Sequence, residues 1–197
     1  MKQIDFSRDL KGLYTAKEKI QEVVPGAGTF IAVESKGEPG GEAFQNAIQQ
    51  LFSTVYTLKF SLKNAGVIDF KVSKLECLWF SDPKTTPKSE WQWRIMIRIP
   101  DEVADKDVKA AQKIVKEKKA IDVSGAKRIR WKEGRAIQIL HVGPYEQFER
   151  TYGKLMAYAE ENALSLIGPA HEIYMNDPRM TGPEKLKTIV RMGIRKN

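Results

Sequence analysis

The chain has 197 residues, 42% of them apolar and 29% charged, with 33 lysines and arginines against 25 acidic residues and a formal net charge of +8. That make-up suits one good-sized folded body, is too short for a multidomain assembly, and excludes disorder as the main state. The longest uncharged apolar runs are strand-sized, the first ten residues carry Asp5, Arg8 and Asp9, and one cysteine with two histidines is a poor zinc set. The expectation is a cytoplasmic protein with no membrane span, no export signal, no internal disulfide and no metal.

Residues 1–19 read as an N-terminal arm that straps onto the body, and 20–197 as a single domain. Ile20–Val24 and Thr29–Glu34 read as strands around the turn Pro25-Gly26-Ala27-Gly28. Gly37-Glu38-Pro39-Gly40-Gly41 opens a helix over Glu42–Lys63, whose stripe Phe44, Ile48, Leu51, Phe52, Val55, Leu58 and Leu62 steps by three and four. Val67–Phe80 is strand-like but changes phase: Ile68, Phe70 and Val72 hold even positions, and Leu75, Cys77 and Trp79 odd ones. A bulge or bend near Ser73-Lys74 is therefore predicted. After a loop at 81–87, Trp91, Trp93, Ile95, Ile97 and Ile99 alternate with Gln92, Arg94, Met96 and Arg98, the period of a half-buried strand.

Much of the surplus charge lies between Lys106 and Arg135, where eleven basic residues face four acidic ones. The segment reads as a solvated helix with Val108, Ala111, Ile114 and Val115 buried, then a strand through Ile129 and Trp131; a phosphate-binding patch is the alternative. Arg135–Val142 reads as a strand and Tyr145–Asn162 as a second long helix with the stripe Phe148, Tyr152, Leu155, Met156, Ala159 and Ala163. Strands over Ala170–Met175 and Leu186–Met192 close the chain.

The two halves match in order: a strand, a helix opened by Gly37-Glu38-Pro39 or Gly143-Pro144, then two strands. This is a degenerate duplication, with pseudo-repeats of about 20–104 and 125–197 joined by the basic helical segment. An α+β fold follows, with antiparallel sheets around a central groove that suits a small molecule.

No nucleophile elbow, phosphate loop, His-Glu-x-x-His pair or Cys-x-x-Cys is present, and Cys77 reads as a small buried residue. In His171-Glu172-Ile173-Tyr174-Met175, alternation puts Glu172 and Tyr174 on one face. On a groove-facing surface that carboxylate would have a raised pKa, as a general base or a counter-ion for a cation; on the other it would be a solvated Glu beside a satisfied Tyr. Trp79, Trp91 and Trp93 are many indoles for one sheet, and belong either to the core or to a pocket wall. Tyr56, four residues after Phe52, lies at the edge of its helix stripe with a hydroxyl that reaches toward the groove, and Tyr145 opens the second helix.

Leu75-Glu76-Cys77-Leu78-Trp79-Phe80, Gly143-Pro144-Tyr145, and His171-Glu172-Ile173-Tyr174 followed by Asp177-Pro178-Arg179 and Leu186-Lys187-Thr188-Ile189-Val190-Arg191 resemble the GyrI-like small-molecule-binding family. The resemblance covers roughly Ile20 to Arg191 and rests on the order and spacing of these motifs. It implies the fold of the effector-binding domains of AraC-type and MerR-type regulators, a tandem of SHS2-like modules around a ligand groove. It also implies a stand-alone protein, since the chain has no room for a helix-turn-helix beside the duplicated body. Some similar stand-alone members hydrolyse cyclopropane-bearing, DNA-alkylating natural products. By the same resemblance Glu172 matches the groove glutamate, Tyr56 the tyrosine supplied by the first helix, and Trp91 or Trp93 the indole supplied by a strand. Cys77 stands where the related pattern has glycine.

Two functions are compatible with these residues. One is a cofactor-independent hydrolase in which Glu172 and Tyr56 are catalytic, while Trp79, Trp91, Trp93, Tyr145 and Tyr174 bind a planar ligand. The other is a non-catalytic drug-sequestering or sensing module, or a gyrase-inhibitor-like protein, that uses the same groove for planar aromatic or cationic molecules. The expected partner is a small molecule, with no membrane or nucleic acid, and the expected state is a monomer or weak dimer.

Overall fold

The computed structural model describes residues 3–197. In chain order its elements are β1 (Gln3–Ile4), α1 (Phe6–Asp9), β2 (Gln21–Val23), β3 (Gly28–Lys36), α2 (Glu42–Asn64), β4 (Asp69–Phe70), β5 (Leu75–Trp79), β6 (Gln92–Ile99), α3 (Asp105–Lys119), β7 (Lys127–Trp131), β8 (Ala136–Val142), α4 (Phe148–Glu161), β9 (Leu164–Tyr174) and β10 (Lys187–Lys196). Eight of these strands form one antiparallel sheet in the order β2-β8-β10-β9-β5-β6-β3-β7.

The duplication is visible in that order. One module is β3-α2-β5-β6 and the other β8-α4-β9-β10, and β5 pairs with β9 where they meet, with Cys77 opposite Glu172. Each module also lends an outer strand to its neighbour: β2 precedes the first module but pairs with β8, and β7 follows it but pairs with β3. The two sheets thus merge edge to edge, and the strand order reads alike from both ends. Both long helices cover the same face. α2 packs over β3 and β6, and α4 over β8, β9 and β10, which leaves the β5–β9 junction beneath the gap between them.

The predicted helix stripes account for the packing. Leu51, Val55 and Leu58 of α2 are fully buried against Ile31, Trp93, Ile95 and Ile97, and each such side chain contributes about 1.5–3 kcal/mol relative to exposure. Leu155 of α4 meets Ile137, Ile139 and Val190, whereas Met156, placed in the same stripe, is 50% exposed because it sits at the stripe's solvent edge next to Leu155. α3 lies against α2 with Val108, Ala111 and Val115 buried, while its lysines are exposed, as a solvated face requires. The phase change at Ser73-Lys74 is a true break, for β4 leaves the main sheet and pairs in parallel with β1.

Other boundaries moved. Ala163, placed in the second helix stripe, instead has left-handed backbone (φ +51°) and turns the chain directly into β9, which begins at Leu164. β6 is not half-buried: Met96 is as buried as Ile95 and Ile97, because the back of the sheet is also covered. Phe30, Leu78, Met96 and Trp131 pack there, and the arm adds Phe6 and Tyr14 against Ile173 and Ile189. Among the described residues no helix is long and apolar enough to cross a membrane.

Candidate functional site

β9 places the central carboxylate. Strand alternation turns Glu172 and Tyr174 toward the helices and His171 and Ile173 toward the back. Glu172 is only 5% exposed, yet both of its oxygens are engaged. The hydroxyl of Tyr152, projecting from α4, donates to Oε1 at 2.8 Å, and that of Tyr174 donates to Oε2 at 2.8 Å.

Aromatic rings surround this pair. Trp79 of β5 stacks on Phe44 of α2 at 5.8 Å and 3°, and meets the edge of Trp91 at 5.8 Å. Its indole N–H is buried and makes no hydrogen bond of normal geometry, though it stands close enough to Glu172 to favour the charged carboxylate. Across the junction Tyr145 meets Tyr174 at 6.0 Å and Phe148 at 5.5 Å, and Phe148 meets Tyr152 at 6.2 Å. Gly143 (φ +133°) takes a backbone conformation that favours glycine, and so lets β8 turn abruptly into the segment carrying Tyr145.

Burial pushes the Glu172 carboxyl above its ordinary value; the hydroxyls of Tyr174 and Tyr152, the Trp79 indole and the charge of His171 oppose the shift only in part. The two phenols are driven well above their usual range, first by burial and then by the adjacent carboxylate, so they remain neutral donors. Burial and Glu172 also raise the Cys77 thiol well above its ordinary range, which leaves it protonated and unreactive. The result is a dry carboxylate with enhanced proton affinity, clamped by two hydroxyls in an aromatic setting. It can accept a proton from a water or balance a cation.

Glu172, Tyr174, Trp79 and Tyr145 come together as one cluster. Trp91 stands one ring further out, with its indole N–H donating to the Thr86 carbonyl at 2.9 Å. Trp93, expected as a possible wall residue, belongs to the core: it is 1% exposed, lies against the edge of Phe44 at 5.0 Å, and donates to the Gly37 carbonyl at 3.1 Å. It faces α2 on an interior strand. Tyr56 is not bonded to Glu172, whose two oxygens are held by Tyr152 and Tyr174; it is 45% exposed and stacks between Phe52 and Phe60 along α2. The sequence reading missed Tyr152 as a site residue, although the signal was there. A tyrosine in a buried helix stripe needs a partner for its hydroxyl, and Glu172 was the one carboxylate assigned to the facing surface. Among the described residues no cluster of acidic, histidine or cysteine side chains is arranged to hold a metal.

The model of the GyrI-like small molecule binding domain matches residues 18–195. The chain belongs to the GyrI-like family. Two crystal structures similar to this GyrI-like chain come from Listeria innocua, one of an uncharacterized conserved protein and one of a hydrolase. Each is 34% identical and aligns over 98% of this chain and 100% of the other, with TM-scores of 0.92 and 0.89. The C-terminal domain of EcmrR shares the fold alone, at 13% identity and a TM-score of 0.58 over 91% of this chain and 97% of that one. No curated protein matches the chain significantly. Membership makes small-molecule binding the property of this GyrI-like fold, and the β5–β9 junction is where the Glu172 carboxylate and its aromatic neighbours converge.

Proposed function

We propose that this chain is a cofactor-independent hydrolase of electrophilic, planar aromatic xenobiotics, cyclopropane-bearing alkylators among them, with Glu172 as general base. The observation that carries the reading is the carboxylate itself: buried, of raised proton affinity, and aimed by Tyr152 and Tyr174. The 34% identity to a protein named as a hydrolase supports the same class of activity.

In the ring opening, a water oxygen bonds to a cyclopropane carbon while Glu172 takes its proton. The ring carbon–carbon bond breaks, and its electron pair passes into the conjugated acceptor of the ligand, which is then protonated. Tyr152 and Tyr174 fix the carboxylate orientation, so little reorganisation accompanies the transfer. Trp79 and Tyr145 offer faces against which a planar ligand stacks. Incubation with a cyclopropane-bearing alkylator, followed by mass spectrometry, tests this directly: a product one water heavier is expected, and unchanged ligand after binding defeats the assignment.

A second reading, a non-catalytic receptor for planar cations, is favoured by the same ionisable carboxylate amid aromatic rings. Under either reading ligand binding should quench tryptophan emission. Trp79→Phe is expected to remove most of that quenching and Trp93→Phe little of it, because only the first indole borders Glu172. The reverse pattern in a fluorescence titration would move the ligand away from the β5–β9 junction.

A further inference from the structure

Behind the sheet, away from Glu172, lies a buried charged cluster. His171 is fully buried with a carboxylate at each ring nitrogen: Nε2 is 2.9 Å from Glu76 Oε2 and Nδ1 is 3.2 Å from Glu133 Oε1. The two carboxylates outweigh the burial that lowers the ring's pKa and raise it above its ordinary value, which favours the imidazolium with a proton on each nitrogen. Arg191, its cross-strand neighbour on β10, donates to Glu133 Oε2 at 3.0 Å, to Gln138 Oε1, and to the Leu13 carbonyl of the arm at 2.7 Å. To this point two cations meet two carboxylates.

Arg98 of β6, itself half-buried, is a third cation beside this cluster, and no acidic side chain pairs with it among the described residues. Its guanidinium lies 5.6 Å from the ring centroids of both Phe6 and Phe30, and Nη2 reaches only the Ala27 carbonyl at 3.3 Å. Its Nε is buried without an acceptor. Gly28 leaves the group room, since a Cβ there would come within 2.6 Å of the Arg98 Cζ. Arg98, Arg191, His171 and Glu76 line one small cavity beneath the arm, which leaves about 10 Å³ for the centre of a water-sized sphere. That is roughly the space of one small body.

A buried donor without an acceptor, a surplus of one positive charge and a void of this size share one complement. We propose that this cavity is a small-anion site, taking a monovalent ion of about chloride's size that accepts a hydrogen bond from Arg98 Nε beneath the N-terminal arm. A water would satisfy the donor but leave the charge without a counter-ion. Leu13 and Tyr14 of the arm border the same cavity, so the bound ion stabilises the docked arm.

Thermal unfolding of the full chain in sodium chloride, sodium bromide and sodium gluconate at one ionic strength tests the site. Chloride and bromide should raise Tm over gluconate by roughly 3–6 °C at tenfold excess over the dissociation constant. Arg98→Met, which removes both the donor and the surplus charge, should abolish the difference. A bromide-soaked crystal of the wild-type protein should show an anomalous peak within about 3.5 Å of Arg98 Nε. Equal Tm in all three salts with no bromide peak overturns the proposal, as does a chloride effect of undiminished size in folded Arg98→Met. Should that variant not fold, the wild-type salt series and the bromide map still decide.

Discussion

Glu172→Gln is expected to lower turnover of a cyclopropane-bearing alkylator by roughly 10²- to 10⁴-fold while binding of a neutral ligand changes little. Glutamine keeps the shape and an acceptor for one tyrosine hydroxyl, and its amide can donate to the other phenol oxygen, so the clamp from Tyr152 and Tyr174 persists in altered form. What disappears is the base. Stability should move the other way. The folded pKa of Glu172 is raised above its unfolded value, so the group adds stability at acid pH and loses it as pH rises through the folded pKa. At neutral pH its buried charge is a cost, and the neutral amide should leave Tm unchanged or higher. A fall in turnover without a fall in Tm separates a catalytic from a structural role, and full turnover in the mutant defeats the assignment. Tyr152→Phe, which removes one of the two donors, should give a milder loss.

Arg191→Met is expected to cost about 3–5 kcal/mol, because one change strips a cation from buried Glu133 and donors from Gln138 and the Leu13 carbonyl. The Arg191 and Glu133 side chains are 3% and 5% exposed, so water cannot replace the lost partner. Urea denaturation at neutral pH reads the loss as a lower midpoint, and a change below about 1 kcal/mol would mean that the cluster is solvated after all. The same cluster sets two pH limits. Burial alone would raise Glu133, but His171 and Arg191 hold it below its ordinary 4.5, so its contribution is present above that value and lost as pH falls through the folded pKa. Burial alone would lower His171, but Glu133 and Glu76 raise it above 6.5, so its contribution is present below 6.5 and lost as pH rises through the folded pKa.

Periodicity made the helix face of this sheet legible. The stripe of α2, that of α4 apart from Met156 and Ala163, and the odd residues of β6 point where their spacing says, and alternation in His171-Glu172-Ile173-Tyr174 places Glu172 and Tyr174 together. The back face was not legible, because what buries it is distant in sequence. Glu76, Glu133, His171 and Arg191 come from four separate segments and look like ordinary strand and loop charges until the arm closes over them. The surroundings of Trp93 and Tyr56 were not legible for a related reason. Position on an element says which face a side chain takes, but not where along the sheet the neighbouring helix crosses. α2 lies over β3 and β6, which buries Trp93, while Tyr56 stays 45% exposed, and α4 rather than α2 supplies the hydroxyl at Glu172.

The pH dependence of kcat/KM for ring opening measures the ionisation of the free enzyme's essential base. A general base at Glu172 requires the rate to rise with pH along a one-proton limb whose midpoint lies above the ordinary glutamate value of 4.5, as its burial dictates, and requires that limb to vanish from the residual rate of Glu172→Gln. A profile flat through the acid range, or a limb that persists unchanged in the mutant, would place the base elsewhere and contradict the assignment.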